Sequence, residues 1–79
     1  MKHAREDYNR IQDPAGLIPE DEPVFLLRGQ DLAAPATLAF WASEVRRLGG
    51  DEKMAGMAED QAVKMLIWMS EHTRKMPDL

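Results

Sequence analysis

The sequence predicts a small, mainly α domain (α+β only in that it has one short strand). An extended N-terminal segment leads to a strand at about 24–28, followed by an antiparallel helical hairpin at about 32–48 and 52–74. Three observations predict it. Apolar residues recur at helical spacing on both sides of Gly49-Gly50. The run Val24-Phe25-Leu26-Leu27-Arg28 is confined between Pro23 and Gly29, too short for a helix. The first 23 residues hold three of the five prolines. At 79 residues the chain is a single domain, 1–79, with residues 1–23 as an irregular arm and 24–79 as the body.

The arm is acidic. Residues 1–23 carry three basic and six acidic side chains, against three and two in 24–50 and four and six in 51–79. Asp13-Pro14-Ala15-Gly16 has turn chemistry, the proline presetting φ and the glycine allowing a positive value. Pro19-Glu20-Asp21-Glu22-Pro23 reads as a kinked connector, and Tyr8, Ile11, Leu17 and Ile18 are expected to tack the arm to the body. The strand needs a ladder partner: either Leu17-Ile18 in a minimal hairpin, or the same strand of a second copy, antiparallel across a two-fold axis.

Asp31 is the expected N-cap of the first helix, and Pro35 is tolerable because first-turn N–H groups lack internal partners. At 100° per residue, Ala34, Leu38, Trp41, Val45 and Leu48 fall on one stripe. Arg46 and Arg47 suit the negative end of the helix dipole, and Gly49-Gly50 ends the helix. Asp51 caps the second helix. Its main stripe is Met54, Met57, Ala58, Ala62, Met65, Trp68, Met69 and His72, with Asp60–Lys64 and Glu71–Lys75 as i,i+4 pairs on the solvated face. The two-glycine connection makes the helices antiparallel neighbours.

Both helices have more apolar surface than a hairpin can cover. Val63, Leu66 and Ile67 project away from the Met/Trp stripe, and Phe40 lies off the stripe of the first helix. A chain of this size has little else to bury them beneath, and with no cysteine it has no disulfide to compensate for a thin core. Homodimerisation into a four-helix arrangement follows as an expectation, with Phe25, Leu27, Phe40, Val63, Leu66 and Ile67 at the interface.

Catalytic constellations are not found. Without cysteine there is no thiolate nucleophile or thiolate metal site; His3 and His72 have no metal-ligand spacing, and Ser43 and Ser70 have no base or nucleophile elbow. No phosphate-cradling glycine motif occurs, and Glu20-Asp21-Glu22 lacks the spacing of a calcium loop. No enzyme, metal or cofactor is expected. The methionines, five of the six within the last 26 residues, read as core filling at helical spacing, and His72 as a partly buried structural histidine. A formal charge of −4 and a pI near 5.0 argue against a nucleic-acid partner, whose footprint is basic. No apolar run is long enough to span a bilayer, and the polar opening Met1-Lys2-His3-Ala4-Arg5-Glu6-Asp7 does not read as a signal peptide.

One segment carries ligand chemistry. Arg28-Gly29-Gln30-Asp31 sets a guanidinium and an amide beside the start of a helix, where an anion can be held. Arg5, Tyr8 and Arg10 of the arm could fold against it, and Arg with Tyr suits a nucleotide's phosphate and base. The competing reading makes Asp31 the occupant of those donors, with Arg28 as its ion-pair partner.

The words Tyr8-Asn9-Arg10-Ile11-Gln12-Asp13-Pro14, Ile18-Pro19-Glu20-Asp21-Glu22-Pro23-Val24-Phe25-Leu26-Leu27-Arg28-Gly29-Gln30-Asp31 and Leu48-Gly49-Gly50-Asp51 resemble a group of small uncharacterised proteins encoded by tailed bacteriophages and prophages. The resemblance covers most of the chain. It implies a context, the cytoplasm of an infected bacterium, and no activity or catalytic residues. Three functions are consistent with it: a homodimer that binds a host or phage protein; a binder of an anionic nucleotide-type signal in host defence, through Arg28, Gln30, Arg5, Tyr8 and Arg10; and a virion or assembly accessory.

Overall fold

A computed structural model describes residues 2–3, 13 and 15–72. Four elements follow in order: β1 (Lys2–His3), β2 (Pro23–Val24), α1 (Ala34–Arg47) and α2 (Glu52–Glu71). The mainly helical hairpin expected from the sequence is present, with α1 packed on α2.

The strand differs from expectation in length and in partner. It is confined to Pro23–Val24 and pairs in parallel with β1, Lys2 opposite Pro23 and His3 opposite Val24. Leu17-Ile18 does not fill that role within the chain. Leu17 is 81% exposed and so does not tack the arm down, whereas Ile18 is half-buried. Tyr8 and Ile11 lie outside the described residues. The turn at Asp13–Gly16 forms as expected. Gly16 N–H donates to the Asp13 carbonyl at 3.0 Å, the Asp13 carboxylate accepts from Leu17 and Ile18 N–H at 3.1 and 3.2 Å, and Gly16 has φ +62°.

Helix α1 starts at Ala34 rather than 32. Its N-cap is Ala33, whose N–H donates to Asp31 Oδ1 at 2.8 Å, so the aspartate closes the turn before the helix and does not cap it directly. The Asp31 carbonyl accepts from Ala34 N–H at 3.0 Å, and Pro35 sits in the first turn where no donor is needed. The C-terminus is a Schellman ending: Gly49 N–H bonds to the Arg46 carbonyl at 3.1 Å and Gly50 N–H to the Val45 carbonyl at 2.7 Å, with Gly49 at φ +74°. Helix α2 has the expected cap, Asp51 Oδ1 accepting from Lys53 N–H at 2.8 Å, and ends at Glu71 rather than 74.

The helices meet on small residues. Ala42, Ala55 and Ala58 form the buried centre, with Val45 packed against it. On α2 the buried positions are Ala55, Ala58, Ala62, Met65 and Met69, spaced alternately three and four residues apart, as in a coiled-coil seam. Both expected stripes hold in part, since Ala34 and Val45 on α1 and Ala58, Ala62, Met65 and Met69 on α2 are buried or packed on the centre, and are corrected at their larger members. Trp41, Leu48, Met54, Met57 and Trp68 are exposed by 45, 73, 46, 56 and 41%. Close approach on Ala42, Ala55 and Ala58 leaves the bulkier members of those stripes on the rim.

Arg46 locks the rotation. Its Nε donates to both Glu52 carboxylate oxygens at 3.0 and 2.8 Å, and its Nη1 and Nη2 donate to Glu59 Oε2 and Oε1 at 2.9 and 2.7 Å. Arg47 forks onto Glu44 one turn back, with Nη2 2.6 Å from Oε2. These cations therefore act on carboxylates as well as on the helix dipole. Asp60 and Lys64 form no ion pair, so that expected contact is not made; Lys75 lies outside the described residues. Among the described residues, no helix is long and apolar enough to cross a membrane.

Candidate functional site

The loop joining β2 to α1 lies along one flank of α2. The turn at Arg28–Asp31, closed by Asp31 N–H to the Arg28 carbonyl at 3.0 Å, sets Leu27, Arg28, Gly29 and Gln30 against the helix. From α2 come Gln61, Lys64, Met65 and Trp68, positions that share one helical flank. The two sides enclose a pocket of about 360 Å³. Met65 is buried beneath it, and a Cβ placed on Gly29 would lie 3.8 Å from Met65 Cγ, so the loop backbone rides directly on that side chain.

The pocket's electrostatics oppose those of the chain. Among the described residues it is lined by two cations, Arg28 and Lys64, two amides, Gln30 and Gln61, and no carboxylate, although the chain as a whole carries −4. The Trp68 indole stacks on the His72 imidazole, centroids 4.0 Å apart and planes within 5°. His72 Nδ1–H donates to the Trp68 carbonyl at 2.8 Å, closing the last turn of α2. His72 is thus exposed and folded back on its own helix, not part of the core stripe as expected.

Of the expected ligand residues, the structure brings Arg28 and Gln30 into this pocket; Arg5, Tyr8 and Arg10 lie outside the described residues. The chemistry is not that of a helix N-terminus, since the Ala33 and Ala34 N–H groups are both taken by Asp31. Gln61, Lys64 and Trp68 were missed. Their signal is their shared flank of α2, masked in the sequence by the i,i+4 spacing of Asp60 and Lys64.

The residues expected at a dimer interface fall in two groups. Phe25, Phe40, Val63, Leu66 and Ile67 are exposed by 66, 68, 54, 55 and 55%, while Leu27 is half-buried in the pocket wall. No large side chain is fully buried anywhere in the described residues. Among them, no group of three or more His, Cys, Asp or Glu is placed to hold a metal ion. No family model, no curated protein and no solved structure matches the chain.

Proposed function

We propose that this chain is a non-enzymatic, phage-encoded binding protein that acts as a homodimer on a host or phage protein in the cytoplasm of an infected bacterium. The phage setting rests on the sequence resemblance. One observation carries the mode of action: Val63, Leu66, Ile67 and Phe40 are more than half exposed in a chain whose buried centre is mostly alanine. Full burial of one such side chain is worth roughly 1.5–3 kcal/mol, and this chain leaves that stabilisation unrealised on its own. A second copy covers one apolar face, and the partner protein takes another. The test is affinity capture from host lysate with wild-type protein and with Phe40→Asp, a position that lies off the Val63, Leu66 and Ile67 strip. A protein retained by the first and lost with the second supports the reading; no specifically retained protein contradicts it.

A second reading, a binder of an anionic nucleotide-type small molecule, is favoured by one feature of its own. That feature is the pocket that brings together Arg28, Lys64 and Trp68.

A further inference from the structure

We propose that α2 pairs antiparallel with α2 of a second copy, in a register centred on the level of Ala62. Ile67 of each copy then seats on the partner's Gly56, and Lys53–Glu71 and Asp60–Lys64 ion pairs form across the two-fold axis. The inference rests on the homodimer reading above and adds the partner's orientation and register.

Three features carry it. The first is a line on α2 that α1 does not cover. At 3.6 residues per turn, Gly56, Val63 and Ile67 fall within about 40° of arc, on a different side from the alanine seam. Val63 and Ile67 are more than half exposed.

The second feature is Gly56 itself. Glycine in a helix interior is a destabilising choice, and nothing within the described chain requires it. Gly56 is not among the glycines with positive φ, and an added Cβ there would meet nothing within 4 Å. A smooth, open position on an apolar line suits a side chain arriving from outside. In an antiparallel pair centred near Ala62, the side chain at that level is the partner's Ile67.

The third feature is charge. Lys53, Asp60, Lys64 and Glu71 form a row along one edge of the same line, also within about 40° of arc. All four are exposed, and among the described residues none is in an ion pair. Lys53 and Glu71 lie nine residues to either side of Ala62, and Asp60 and Lys64 lie two to either side. Each couple is of opposite sign. A two-fold axis at that level therefore sets every charge of the row against its complement, whereas a parallel pair in register would set like against like. Exposed ion pairs contribute little affinity, so the row selects orientation and register while the apolar line supplies the attraction.

The chain has no cysteine, so placed cysteines report the geometry directly. Lys53→Cys and Glu71→Cys chains, alone and mixed, are treated with a short bis-maleimide at a concentration where light scattering shows the dimer. Mass spectrometry identifies the linked species. The mixture is expected to give the 53–71 product. Neither variant is expected to link to itself, since the two copies of residue 53 would stand roughly 27 Å apart at 1.5 Å per residue. Sedimentation equilibrium then compares Gly56→Leu, Lys53→Glu and the reciprocal exchange Lys53→Glu/Glu71→Lys, each checked for helicity by circular dichroism. Filling the seat at Gly56 is expected to weaken the dimer roughly tenfold or more while leaving the chain helical. Lys53→Glu is expected to weaken it severalfold, and the exchange to restore it.

A chain that stays single at every concentration would overturn the homodimer reading and this register together. A dimer in which residue 53 links to itself would overturn the antiparallel arrangement alone. So would a dimer that gives no 53–71 product, or one indifferent to both Gly56→Leu and Lys53→Glu; in each of these cases the homodimer stands and its interface lies elsewhere. Should Gly56→Leu disturb the fold, the cross-linking decides, because it alters only exposed side chains.

Discussion

Arg46, near the end of α1, and Glu59, in the middle of α2, are thirteen residues apart and face each other fork to fork. Two hydrogen bonds of 2.9 and 2.7 Å join them. The same guanidinium also holds Glu52, so one side chain ties the first helix to two successive stretches of the second. The Glu52 and Glu59 carboxyls are both drawn below the ordinary 4.5, chiefly by these hydrogen bonds, and the guanidinium is driven further up.

Acid is therefore expected to loosen the hairpin through this clamp. A carboxyl whose pKa is lower in the folded chain contributes stability that is complete above its unfolded value. That stability is lost as pH falls from about 4.5 through the folded-state values. Thermal melts of wild type and Arg46→Gln between pH 7 and pH 2 check it. Wild type should lose more melting temperature below pH 4.5 than the variant does, and parallel acid limbs would show that the clamp carries no linkage.

The two glycines of the helix connection should differ in what they tolerate. Gly49 needs only its positive φ of +74°, and a side chain there is expected to cost about 1–2 kcal/mol. Gly50 has no room: an added Cβ would lie 2.8 Å from Val45 Cγ1 and 3.1 Å from the Val45 carbonyl oxygen. Gly50→Ala must therefore displace the backbone that closes α1, and denaturant titration should rank it at least as damaging as Gly49→Ala.

Removing the cap of α2 isolates a single hydrogen bond, Lys53 N–H to Asp51 Oδ1 at 2.8 Å. Asp51→Ala should destabilise the chain by about 1 kcal/mol, and Asp51→Asn by much less. Urea midpoints at pH 7 measure both.

The alanine seam makes its own demand. Ala55 is fully buried between the helices, so Ala55→Leu has to push them apart or rotate one of them, at about 1–3 kcal/mol. Ala39→Leu, on the exposed side of α1, is the control and should change stability little.

The elements were largely legible before the structure. Asp51, Gly49-Gly50 and the turn at Asp13–Gly16 act through local backbone chemistry, which needs no knowledge of the rest of the chain, and each forms as read. The helix faces were less so. Ala58 was on the expected stripe, but Trp41, Met54 and Trp68 outweigh alanine on a hydropathy wheel, and Ala42 and Ala55 complete the contact because close helix approach rewards absence of bulk. Strand pairing with Lys2–His3 was missed since β1 is two residues long and has no apolar pattern. Half of the candidate pocket was visible as Arg28 and Gln30. The other half, Gln61, Lys64 and Trp68, comes from residues more than 30 positions along the chain that only tertiary packing brings alongside.

The central claim is that the apolar strip Val63, Leu66 and Ile67 belongs against a second copy of the chain. Light scattering coupled to size exclusion, on wild type and on Leu66→Asp/Ile67→Asp, measures this directly. The account predicts twice the 9.0 kDa chain mass for wild type and a single folded chain for the variant. A wild-type mass of 9.0 kDa, maintained up to millimolar concentration, would contradict it.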